Sequence, residues 1–151
     1  MNRFIFRLQS VLRLREIKED EKKREFGSAM QKLHHEEKEL EHLDTSLQGH
    51  EKNMEQQGKG TVTIAQLTNN FNYARSLDGK IDNQTKKVKE EEKVVDGKRE
   101  ELVQSTKQKK ILERLKERKR EEHDKAVLSE EQDLIDDIAS VRSKWNNDIS
   151  S

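Results

Sequence analysis

Five histidines, one glycine-rich loop and a dense set of carboxylates are the residues of this chain with types suited to chemistry on a ligand. A zinc site needs nitrogen or sulfur ligands about 2 Å from the ion, supplied on a helix by i,i+4 pairs or by clusters with cysteine. His34, His35, His42 and His50 share one predicted helix, but His35 and His42 are a heptad apart, about 10 Å along the axis. His34 has Lys38 four residues on, and the chain has no cysteine. These histidines read as surface residues, and no metal is expected. Gly58-Lys59-Gly60-Thr61 has the composition of a phosphate loop without the preceding strand or the second spaced glycine, so it reads as a turn. Asn83-Gln84-Thr85 matches a glycosylation acceptor by chance, because the opening residues lack the apolar stretch of a secretory signal. The carboxylates are plentiful, but nothing predicts a closed pocket that would shift their pKa values or exclude water. The expectation is a non-enzyme with no cofactor.

The elements carrying these residues are helices. Of 151 residues, 41% are charged and only 29% hydrophobic, with no proline. A compact globule devotes close to half its residues to apolar types, so a thick core is excluded and a thin seam is expected. Disorder is disfavoured because 31 basic residues balance 31 acidic ones and the apolar residues are periodic. Zero net charge argues against nucleic acid, which needs a basic footprint. No run approaches a membrane span, so no membrane insertion is expected. The chain is expected to be soluble and cytoplasmic.

Every seventh residue from Ile5 reads Ile5, Leu12, Glu19, Phe26, Leu33, Leu40, Leu47, Met54, with Glu19 the one break. A seven-residue apolar period stays in line only when the helix supercoils around a partner. A helix is predicted over about 4–57, a turn over 58–62 and a second helix over about 63–148. Glycine's tolerance of positive φ suits the turn, and Thr61 or Thr63 is placed to cap the second helix. In that helix the column is Leu67, Ala74, Ile81, Val88, Val95, Leu102, and it keeps phase through Gly79, so one continuous helix is expected. A short loop makes the two helices antiparallel. The predicted fold is all-α, a single-domain long antiparallel two-helix coiled coil with an extended C-terminal helical tail. With the turn near residue 60, Leu33 should lie near Val88, Leu40 near Ile81, Leu12 near Lys107 and Gln108, and Leu8 near Ile111 and Leu112. The polar stretch from Arg15 to Lys22 should pack poorly against the region of Gly97 to Leu102.

Beyond about residue 119 the second helix should have no partner in its own chain. Leu128, Ile135, Ile138, Trp145 and Ile149 still keep heptad-like spacing, which suggests either an external partner or a frayed end. Ile135, Ile138 and Trp145 are the candidate contacts, the tryptophan being a favoured interface anchor. Charge is segregated although the total is zero. Basic residues predominate in 1–24 and 107–125, which antiparallel pairing brings together, while 130–137 hold five acids and no base. The bland reading is a solvated helix face with i,i+4 pairing, and the functional reading is steering toward an acidic partner.

At Phe4-Ile5-Phe6-Arg7-Leu8-Gln9-Ser10-Val11-Leu12-Arg13-Leu14-Arg15 the chain resembles the start of the flagellar export protein FliJ family. A second match is Glu113-Arg114-Leu115-Lys116-Glu117-Arg118, followed by the acidic Asp136-Asp137-Ile138-Ala139. The resemblance covers essentially the whole chain. It implies a component of the flagellar type III export apparatus, an antiparallel coiled coil similar to the central stalk of rotary ATPases. Its implied partners are the export ATPase hexamer, whose central hole the joined termini enter, the cytoplasmic domain of the export gate protein, and export chaperones. The implied location is the cytoplasm, against the cytoplasmic face of the flagellar basal body. Phe4, Phe6, Arg7, Leu8, Arg13, Arg15, Arg114 and Arg118 are the implied ATPase-ring residues. The family's gate-binding stripe falls on Tyr73, Leu77, Lys80 and Gln84, where Lys80 and Gln84 depart from a small residue and a histidine. A stalk role expects a monomer when free. A stalk protein of a virulence-type secretion system and a self-associating structural coiled coil are the alternatives.

Overall fold

A computed structural model describes residues 3–151. Among them there are two helices and no strand: α1, Gln9–Gln57, and α2, Ile64–Ile149, of 49 and 86 residues. The helices pack antiparallel, as predicted. They form two units, one of residues 19–104 and one of residues 1–18 with 105–151.

The connection between the helices is built by hydrogen bonds. Gly58 N–H donates to the Met54 carbonyl at 2.9 Å and Gly60 N–H to the Gln57 carbonyl at 3.1 Å. Neither glycine takes positive φ, contrary to the expectation from composition. At Gly58 the constraint is space, since a Cβ would lie 3.3 Å from the Met54 carbonyl oxygen. Thr63 starts α2 with a reciprocal cap: its Oγ1 accepts from Gln66 N–H, and its own N–H donates to Gln66 Oε1, both at 3.2 Å. This satisfies two amides that the helix itself leaves unpaired.

In the unit of residues 19–104 the predicted columns bury Glu19 and cover Phe26, Leu33, Leu40 and Leu47 on α1. On α2 they bury Val88 and Val95, with Val95 only 2% exposed. Leu67 is an exception: it is exposed, and the covered side of α2 begins near Asn70 and Ala74. A second seven-residue column on α2, absent from the sequence prediction, completes the seam with Leu77, Gln84, Glu91 and Lys98. Gln84 Nε2 donates to the Glu36 carbonyl at 2.9 Å and also to the Glu36 carboxylate. That pairing fits the register expected from Leu33 with Val88. Elsewhere long polar side chains meet partners up to about one turn further along α2, as Lys22 does with Glu101.

The polar layer expected to pack poorly is closed by charge. Lys22 contacts Glu25 and Glu101 at 3.3 Å, and Lys98 contacts the same two carboxylates at 3.3 and 3.5 Å. The hydrogen bonds from Lys98 and then Lys22 hold the Glu25 carboxyl below the usual carboxylate range. A folded-state pKa below the unfolded one contributes stability at neutral pH that is lost as pH falls through the folded value. The melting temperature should therefore drop between pH 6 and about pH 3. Glu25→Gln should flatten part of that slope when melts are followed by circular dichroism, and an identical slope would reject the assignment. The groups are solvent-exposed, so the effect is modest.

Candidate protein-docking site

The unit of residues 1–18 and 105–151 holds the basic terminal end. Here α1 starts at Gln9, not at about residue 4. No Ser, Thr, Asp or Asn precedes Gln9 to cap it, and its first turn holds no acid to offset the helix dipole. Phe4-Ile5-Phe6 instead runs as a non-helical segment, with Gln9 N–H donating to the Phe6 carbonyl at 3.1 Å. Its side chains alternate: Phe6 is 8% exposed while Ile5 is 77% exposed, so Ile5 does not occupy the seam position expected of it. Phe4 packs on the His123 ring with centroids 5.6 Å apart. Coverage of α2 thus reaches His123 and Val127, beyond the predicted limit of about 119. Pairing runs Arg15 Nη1 to Gln108 Oε1 at 2.7 Å and Lys116 Nζ to Gln9 Oε1 at 2.8 Å. Gln9 therefore meets α2 about one turn beyond the level predicted for Leu8.

The segment and α2 enclose a cleft of about 620 Å³ lined by Phe4, Phe6, Leu8, Leu115, Lys119 and His123, with Arg3 and Arg7 also on its wall. Its floor is apolar and its ionisable groups are basic. Of the predicted ring residues, Phe4, Phe6, Arg7 and Leu8 line this cleft, and Arg13, Arg114 and Arg118 are exposed in the same unit. Arg15 is half-buried by its bond to Gln108. Leu115, Lys119 and His123 were missed in sequence, and their i,i+4,i+8 spacing was the available signal.

From Leu128 to Ser151 every residue is exposed. Ile135 and Ile138 are open to solvent, as is Trp145 at 66%. Leu134, Ile138, Val141 and Trp145 make one stripe at i, i+4, i+7 and i+11. Among the described residues no group of three or more His, Cys, Asp or Glu is placed to hold a metal ion.

The predicted gate stripe lies in the other unit, and the structure divides it. Tyr73 and Lys80 are exposed, whereas Leu77, at 4% exposure, and Gln84 face α1. The seven-residue step from Leu77 to Gln84 is the seam period, whereas the family resemblance had implied a partner face there. Tyr73 packs edge-on against His50 at 4.7 Å, and His50 Nε2 lies 3.0 Å from the Asn70 carbonyl oxygen. His50 is thus a helix-pairing residue.

Comparison with known families gives a match to the Flagellar FliJ protein model over residues 4–147. The chain belongs to the FliJ family. Searches of curated proteins and of solved structures returned no match. FliJ membership makes it a protein of flagellar type III export, in a family of non-enzymatic export proteins. Among the described residues of this FliJ family member, no helix is long and apolar enough to cross a membrane.

Proposed function

We propose that this FliJ family member is a stalk-like component of the flagellar type III export apparatus that acts by binding. One copy inserts its basic terminal end into the export ATPase hexamer, α2 contacts the cytoplasmic domain of the export gate protein, and the chain escorts export chaperones. It works in the cytoplasm, on the cytoplasmic face of the flagellar basal body, without catalysis or a cofactor. The observation that carries the reading is the family match across residues 4–147. The basic terminal end supports it, because exposed arginines around an apolar cleft suit an acidic, partly apolar partner surface.

The ring contact is assigned to Phe4, Phe6, Arg7, Leu8, Arg13, Arg15, Arg114 and Arg118, and the tail contact to Ile135, Ile138 and Trp145. Within the gate stripe, Tyr73 and Lys80 are the residues free to touch a partner. Leu77 and Gln84 act by holding that part of α2 against α1.

The test is stimulation of the purified export ATPase by the full chain. Arg7→Glu with Arg114→Glu and Arg118→Glu should cut stimulation about tenfold or more while leaving helicity intact, since buried charged contacts at interfaces are worth about 2 kcal/mol and upward. Full stimulation by the triple variant would reject the ring assignment.

A further inference from the structure

The acidic tail is a charged surface with no ion-pair partner among the described residues of its own unit. Glu130, Glu131, Asp133, Asp136 and Asp137 are all exposed, and none is in an ion pair among the described residues. Asp136 accepts one bond, from Gln132 Nε2 at 3.0 Å. About three turns before this segment, the same helix carries Arg114, Lys116, Arg118, Lys119 and Arg120, with Glu117 the one acid among them. The two charge blocks lie on one continuous helix about 25 Å apart, so they cannot reach each other within a chain.

We propose that a second copy of this chain covers the tail, with two α2 helices antiparallel about a two-fold axis near Ala126 and Val127. Such an axis sets residue 137 of one copy beside residue 116 of its partner, 133 beside 120 and 138 beside 115. Asp133 and Asp137 of each copy then meet Arg120 and Lys116 of the other, and by symmetry these contacts form twice. Asp136 and Glu131 lie level with Glu117 and Glu122 and reach the neighbouring Lys116, Arg118 and Lys119 only diagonally. Ile138 seats over Leu115 at the cleft, and exposed Ile111 continues that apolar stripe. At the crossing point Ala126 is small and exposed, which lets the backbones approach. A parallel pairing would set acid against acid and base against base, and is disfavoured for that reason. Pairing two tails about their own centres is also less favourable, because the five acids would find only Arg142 and Lys144.

This chain's own charges, and not the ATPase reading, carry the dimer. The two meet at Arg114 and Arg118, which the second copy would cover. The monomer expected of a stalk is then the ring-bound form, and the free chain is a dimer that masks its ring-binding end.

Sedimentation of the full chain tests this at low salt, at concentrations on the order of 100 μM. Wild type should be a dimer that dissociates as salt is raised, because its contacts are exposed charges. Asp133→Lys with Asp136→Lys and Asp137→Lys should be monomeric, its dissociation constant raised about tenfold or more. Arg118→Glu with Lys119→Glu and Arg120→Glu should be monomeric too. An equimolar mixture of the two variants should recover the dimer, since both contacts become complementary again. Circular dichroism verifies that each variant is folded, and Asp133→Asn with Asp136→Asn and Asp137→Asn gives a milder form that weakens the dimer less. A monomeric wild type, a dimer insensitive to either reversal, or a mixture that stays monomeric would each overturn the proposal. A wild-type chain that dimerises as expected but does not stimulate the export ATPase would count against the stalk reading alone.

Discussion

Val95→Asp should lower the melting temperature by more than about 10 °C, whereas Val94→Asp, its immediate neighbour, should move it by a degree or two. Val95 is 2% exposed in the seam between the helices and Val94 is 46% exposed. Substitution at residue 95 removes one of the few buried apolar side chains of a thin core. It also forces a carboxylate to stay in a poorly solvated position or to pull the helices apart. Together these cost about 4 kcal/mol, at the upper end for single substitutions. Total stabilities of single domains are roughly 5–15 kcal/mol, so the loss is a large fraction of the whole. A coiled coil cannot absorb the charge elsewhere, because each seam layer is only two side chains wide. Equal melting of the two variants, measured by circular dichroism, would show that residue 95 is not a seam position.

The contrast between residues 94 and 95 was legible in the sequence. The seven-residue columns located the seam on both helices and passed through Glu19 and Gly79 without losing phase. Glu19 shows why: it is buried at its column position, paired with Lys23 at 2.9 Å, so periodicity and not residue type placed it. The second column of α2 was not legible, because Gln84, Glu91 and Lys98 look like surface residues when judged by polarity. Their covered positions depend on which side of α2 faces α1, and on bonds such as Gln84 to Glu36 that no local pattern announces. Leu77 and Gln84 were placed on a partner surface by the position of the family's gate stripe alone, which carries no information on which side of α2 faces α1. At the amino-terminal end the heptad count assumed a helix that is not there. One residue of phase was lost, and Phe6 took the buried place expected of Ile5. From Leu128 on, α2 is an exposed single helix with no tertiary contact to override its sequence, although coverage runs past the expected limit of about 119 to His123 and Val127.

That phase slip leads to the second large effect. Phe6→Ala should release the segment of residues 3–8 and fray the start of α1 while leaving the rest of both helices folded. Phe6 is the most buried side chain of the segment, and Phe-to-Ala substitutions in cores cost about 3 kcal/mol or more. The remaining ties are the Phe4 ring on His123, the Gln9 N–H to the Phe6 carbonyl and the Lys116 bond to the Gln9 side chain. No capping side chain precedes Gln9 to hold the first turn once Phe6 is gone. Because the loss is local, it appears in local opening and only weakly in the global melt. Amide exchange at residues 9–12 should accelerate about 100-fold, the equivalent of roughly 3 kcal/mol. Ile5→Ala, which deletes a larger exposed area from the same segment, should leave that exchange unchanged. Were Ile5→Ala to act like Phe6→Ala, the segment would not be anchored through alternate residues, and the cleft that places Phe4, Phe6 and Arg7 together would lose its structural basis.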